Sequence, residues 1–169
     1  RISLETDEII NVIAGLKDEY NIPTHLLHFE ITESAYINDQ VQLIRRINEI
    51  RNLGFAIAMD DFGSGYSSLN TLKNMPIDIL KLDMGFLRGT QNMDRGGNII
   101  SSLIRMAQDL DLSTVAEGVE TISQADYLKS IGCDVTQGFL SAKPMPENQF
   151  ENLVESAHKD VVPRREHFM

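Results

Sequence analysis

Helical and strand-like patterns alternate strictly along this chain, and every strand-like stretch carries charge or a polar group at its C-terminal end. The spacing of apolar residues predicts a helix over residues 3–20, with Ile9, Ile10, Ile13 and Leu16 on one face. A short strand follows over 26–32. Residues 40–53 read as a helix in which Val41, Ile44 and Ile47 recur every three residues, with Gly54 as its stop. Residues 55–59 form a nearly all-apolar strand, as expected when both faces are buried. A helix over 66–74 ends before Pro76, and a strand covers 77–82. The next helix, 97–110, turns Ile99, Ile100, Leu103, Ile104 and Ala107 inward. A strand over 113–116 precedes a capping-box pair, Thr121 and Gln124, which opens a helix that stops at Gly132. A very short strand, 134–136, and a last helix after Pro144 and Pro146 complete the pattern. That helix carries Phe150, Leu153, Val154 and Ala157 on one stripe.

Such alternation implies parallel βα units. Two folds satisfy it. One is a five-stranded doubly wound sheet, complete in itself. The other is a (β/α)8 barrel without its first strands, because a whole barrel runs to about 250 residues and this sequence has 169. A self-contained α/β sheet usually starts with a strand, whereas this sequence starts with a helix, which favours the barrel.

The strand ends bring together Glu30 and Glu33, then Asp60 and Asp61, Lys81 and Asp83, Glu117 and Glu120, and Gln137. In a parallel barrel these ends open on one face, where active sites are built. A single acidic residue after a strand is ordinarily a helix cap or a solvated loop residue. The repetition at five strands is what points to function. So many carboxylates on one rim repel one another without cations. An oxygen-only ligand set suits Mg2+ or Mn2+ rather than zinc. Asp60 and Asp61 in tandem could hold two ions at bridging distance, and Lys81 could orient or help deprotonate an attacking water. The formal charge of −10 argues against a protein that grips DNA or RNA through a basic face. The lone Cys133 permits no internal disulfide and reads as a small core residue; Met59 and Met75 also read as core, and Met106 as part of a helix face. His25, His28, His158 and His167 have no metal-ligand spacing, and Gly63-Ser64-Gly65 lacks the rest of a phosphate-loop motif. No apolar run reaches the roughly 18 residues of a membrane span.

Glu30-Ile31-Thr32-Glu33-Ser34, the run from Asp60-Asp61-Phe62-Gly63-Ser64-Gly65 to Leu69, Lys81-Leu82-Asp83, Ala116-Glu117-Gly118-Val119-Glu120-Thr121 and Gln137-Gly138-Phe139 together resemble the EAL family, in order and in register. Ser64 stands where that family more often has Thr. The resemblance implies an α/β fold, a (β/α)8 TIM-type barrel that hydrolyses cyclic di-GMP to linear pGpG with two Mg2+ or Mn2+ ions in the complete site. It implies Glu30, Asp60, Asp61 and Glu117 as metal ligands, with Asp60 bridging. It implies Lys81 and Glu117 as catalytic residues, Asp83 and Gln137 at substrate or water, and Glu33 as a brace for the 61–68 loop.

The same resemblance places residues 1–157 in a partial EAL domain and 158–169 in a tail. The family's namesake Glu-Ala-Leu, with a metal-binding Glu and a nearby substrate-binding Arg, lies on an earlier strand, and an Asn ligand lies on the strand before the first helix. None of these falls within the sequence, so the isolated chain is expected to be inactive. The competing reading is a catalytically inactive EAL-like module that binds cyclic di-GMP or a protein partner. Homodimerisation, an upstream GGDEF or sensor domain and a cytoplasmic setting without membrane contact from this segment complete the expectations.

Overall fold

The computed structural model describes residues 8–32, 40–62, 69–83, 85 and 93–160. Helix α1 (Glu8–Glu19) and a short 3-10 turn (Thr24–Leu26) lead into β1 (His28–Thr32). Then come α2 (Gln40–Asn52), β2 (Ala56–Phe62), α3 (Leu69–Asn74), β3 (Ile79–Asp83) and α4 (Met93–Asp109). The chain continues through β4 (Ser113–Glu117), α5 (Ile122–Ser130), β5 (Val135–Gln137) and α6 (Glu147–Asp160).

All five strands join one sheet in the order β1-β2-β3-β4-β5, every neighbour parallel. This order decides between the two folds left open by the sequence. A doubly wound sheet reverses its strand order at a switch point, whereas a (β/α) barrel adds each strand beside the last. The sheet is therefore an arc of a barrel, with β1 and β5 as its edges among the described residues.

Strand alternation sorts the two faces. Ile57, Met59, Leu80, Leu82, Thr114 and Ala116 lie on the helix-covered face and are all buried. Leu43, Ile47 and Ile50 of α2, Ile100, Ile104 and Ala107 of α4, and Leu128 of α5 complete that core. Met59 and Met75 are buried in it; Met106 and Cys133 pack against it. The other face carries Glu30, Ala56, Ala58, Asp60, Lys81, Glu117 and Gln137, with Ile79 and Val115 among them.

The sequence placed some helix faces wrongly. Val41 is 81% exposed, and the buried stripe of α2 is Leu43, Ile47 and Ile50. Six residues at about 100° each put Val41 roughly 120° away from Ile47, so a strict three-residue repeat leaves the buried face. Spacings of four and three, as in 43, 47 and 50, stay on it. Leu16 and Ile99 are likewise exposed, at 44% and 45%. Phe150, Leu153 and Val154 of α6 form the expected stripe, and the described residues leave it exposed.

Helix ends follow local chemistry. Gly54 takes φ +95 after α2, a conformation that an L side chain rarely adopts. At α5, the Thr121 side chain accepts from the Gln124 amide and the Gln124 side chain accepts from the Thr121 amide, forming the expected capping box.

Candidate metal and catalytic centre

Lys81 is the hub of the site. It lies on the central strand, β3, and is 6% exposed. Its ammonium contacts Glu30 Oε1 of β1 at 2.6 Å, Asp60 Oδ1 of β2 at 2.9 Å and Glu117 Oε1 of β4 at 2.9 Å. Three strands thus aim carboxylates at one cation across the C-terminal rim. A buried ammonium among low-dielectric groups favours losing its proton, and burial is the largest single influence on Lys81. The contacts with Glu30, Glu117 and Asp60 together outweigh it and raise the Lys81 pKa above its ordinary value. Lys81 is therefore a fixed positive charge in this arrangement.

Glu117 is shifted as well. Burial raises its pKa above the ordinary carboxylate value, the contact with Lys81 opposes the rise, and the negative charges of Asp60 and Glu30 add to it. Its carboxylate consequently holds a proton more readily than an exposed one.

A bulge in β2 brings two consecutive carboxylates to the rim. Met59 pairs with Leu80 and Phe62 with Leu82, so Asp60 and Asp61 together oppose the single residue Lys81. Asp61 adopts φ +57 there. In an unbroken strand, Asp60 facing the rim would turn Asp61 to the helices and Phe62 back to the polar face. The extra residue restores the alternation, and Phe62 is buried at 3% exposure on the helix side. Backbone strain of this kind, left-handed and non-glycine, clusters at functional sites.

Asp60, Asp61 and Glu117 each offer a carboxylate oxygen, all within 4.8 Å of one another. Asp60 Oδ1 is buried and, although 2.9 Å from the Lys81 ammonium, receives no hydrogen bond of acceptable geometry. A buried carboxylate oxygen with spare acceptor capacity, inside a set of oxygen donors, fits a hard divalent cation.

The remaining expected residues flank this cluster. Asp83 and Gln137 lie in register with Glu117, one on each neighbouring strand. Asp83 Oδ1 accepts a hydrogen bond from the Gly85 amide at 2.7 Å. Glu33, read as a loop brace, and residues 63–68 of its loop lie outside the described residues.

The sequence reading passed over two aspartates that set strand register at the opposite end of the sheet. Asp78 Oδ2 accepts from the Ile57 amide at 2.9 Å, and its Oδ1 pairs with Arg51 at 2.9 Å. Asp134 Oδ2 accepts from both the amide and the hydroxyl of Thr114 at 2.8 Å. Each Asp stands immediately before its own strand and grips the strand preceding it. An Asp abutting an apolar strand was the available signal.

The sequence matches the EAL domain family over residues 2–144. It is 40% identical over 138 residues to the cyclic di-GMP phosphodiesterase RocR of Pseudomonas aeruginosa, a match covering 82% of this chain and 35% of RocR. The chain thus spans about a third of that relative's length. The crystal structure of the EAL domain of Mycobacterium smegmatis DcpA superposes with a TM-score of 0.83 at 35% identity, covering 90% of this chain and 69% of that one. A manganese and cyclic di-GMP complex of Klebsiella pneumoniae BlrP1 superposes with a TM-score of 0.75 at 29% identity, covering 83% of this chain and 36% of that one. Sheet order, rim chemistry and sequence agree: the chain belongs to the EAL domain family.

Proposed function

We propose that this chain carries most of the catalytic rim of a metal-dependent phosphodiesterase that hydrolyses cyclic di-GMP to linear pGpG. The observation that supports it best is the convergence of Glu30, Asp60 and Glu117 on Lys81, with Asp61 brought alongside by the β2 bulge. RocR is named a cyclic di-GMP phosphodiesterase, and the BlrP1 structure contains manganese and cyclic di-GMP.

In this reading Glu30, Asp60, Asp61 and Glu117 would hold two Mg2+ or Mn2+ ions. Such ions, when bound, supply positive charge that lowers the pKa of a water and offsets charge developing on the phosphodiester. The chain's own residues do the positioning. Lys81 would add positive charge to the rim and orient the attacking water. Glu117 would hold a cation from β4 and help to orient the water beside it. Asp83 and Gln137 address water and substrate from either side of Glu117. Water adds to one phosphorus, that phosphorus–O3′ bond breaks, and the ring opens to leave a 5′-phosphate and a free 3′-hydroxyl.

Homodimerisation, attachment to a GGDEF or sensor domain and a cytoplasmic setting belong to the same proposal. No helix among the described residues is long and apolar enough to cross a membrane. The deciding experiment is Asp60→Asn in the full-length protein, with cyclic di-GMP cleavage followed by chromatography in Mn2+. Loss of cleavage by at least about a hundredfold is expected, since a carboxylate that would hold the cations is removed. Unchanged turnover would defeat the proposal. Binding of cyclic di-GMP without cleavage by the unaltered protein would establish the inactive-module reading instead.

A further inference from the structure

The loops after β4 and β5 are joined by a backbone seam beside the rim. The Val119 amide donates to Gln137 O at 3.1 Å, and the Leu140 amide donates to Val119 O at 3.0 Å. Val119 is itself anchored, its side chain 1% exposed in the core. Gly138 lies between the two bonds. A Cβ there would stand 2.2 Å from Val119 O, 2.4 Å from Val119 N and 2.8 Å from Val119 C. These are backbone atoms and cannot swing aside as a side chain would. Gly118, at φ +74, links Val119 directly to Glu117. The seam therefore fixes the chain two residues beyond the Glu117 carboxylate, and its closeness requires a residue without a side chain at 138.

We propose that Gly138 is a positioning residue: its backbone, packed on Val119, holds Glu117 in contact with Lys81 and among the cation-binding carboxylates. This rests on the proposed metal site for its consequence, and on the seam alone for its geometry. A side chain at 138 pushes the Val119 segment away from β5 and carries Glu117 off the hub. The Asp60 and Glu30 contacts come from β2 and β1 and stay.

Three variants of the full-length protein test it: Gly138→Ala, Leu140→Pro, which deletes one seam bond without adding bulk at 138, and Thr114→Val. The last removes the hydroxyl bonds of the β4–β5 clamp at the far end, leaving its amide bond, and serves as a control for general loosening. Crystal structures of the chelator-treated proteins read the Lys81–Glu117 distance, and calorimetry reads Mn2+ affinity. In Gly138→Ala and Leu140→Pro the Lys81–Glu117 contact is expected to open while Lys81–Asp60 stays closed. Mn2+ affinity falls by about tenfold, the scale for disturbing a group that supports a ligand. Thr114→Val changes neither. Should Gly138→Ala fail to fold, Leu140→Pro decides. A folded Leu140→Pro protein with the contact intact overturns the proposal, as does Thr114→Val opening it equally. If the unaltered protein takes up no Mn2+, the metal-site reading fails, and the distance still decides the role of Gly138.

Discussion

Replacing Lys81 with Met tests the electrostatics of the whole rim. Met keeps most of the side-chain volume and removes the charge, so packing changes little. What changes is the field around Asp60, Asp61 and Glu117, whose oxygens lie within 4.8 Å of one another. Two unit charges at that distance repel by about 1 kcal/mol in water and about 3.5 kcal/mol at an effective dielectric constant near 20. Glu30 is half exposed, at 51% of its side chain, and adds little. Asp60 and Glu117 are only 22% and 21% exposed, and Lys81 is their shared partner. Removing one partner of a buried ion pair costs roughly 3 to 5 kcal/mol, and partial protonation of Glu117 relieves some of it. We therefore expect Lys81→Met to lose about 3 kcal/mol in urea unfolding at neutral pH and low salt without divalent ions. Millimolar Mn2+ should shrink the gap between variant and unaltered protein, because a cation can then serve the same carboxylates. A loss below about 1 kcal/mol would refute the claim that Lys81 neutralises the cluster. A gap that Mn2+ leaves untouched would refute the claim that cation and ammonium share those oxygens.

Glu117→Gln should trade stability against activity. With its pKa raised in the fold, Glu117 contributes stability fully below its ordinary value of 4.5 and loses it as pH rises through the window up to the raised value. The Gln variant lacks that decline, so its stability relative to the unaltered protein should grow as pH rises above 4.5 in urea titrations, while cleavage of cyclic di-GMP is lost. At Asp61, held at φ +57, Ala should cost about 1 kcal/mol more than Gly in thermal unfolding, although both remove the same carboxylate. Thr121→Ala should cost about 1 kcal/mol by breaking the α5 capping box, with Mn2+ affinity unchanged.

The parts of this protein that depend on local chemistry were legible in its residues. Apolar runs of limited length, glycine stops and the Thr121–Gln124 box located the helices and strands, because hydrophobic period and capping act over a few residues. The recurrence of acid, amide or lysine at strand ends located the rim, because parallel strands share a direction and so share an end. Helix faces were read less well where a three-residue repeat stood in for a helical stripe, as at Val41.

Other features arise only when separate strands meet. The sequential strand order, which separates a barrel from a doubly wound sheet, is a long-range property that alternating patterns leave open. The sequence reading ended β2 before its two aspartates, whereas pairing carries it through Phe62. The bulge exists because Lys81 on the next strand offers one place to two residues, and nothing within Asp60-Asp61 announces it. Gly138 looked like one more motif glycine until Val119, nineteen positions earlier, was found against it. The residues alone determined which groups the chain could bring to a site. Tertiary structure decided which of them converge on one buried ammonium, because burial, register and charge at Lys81 come from three other strands.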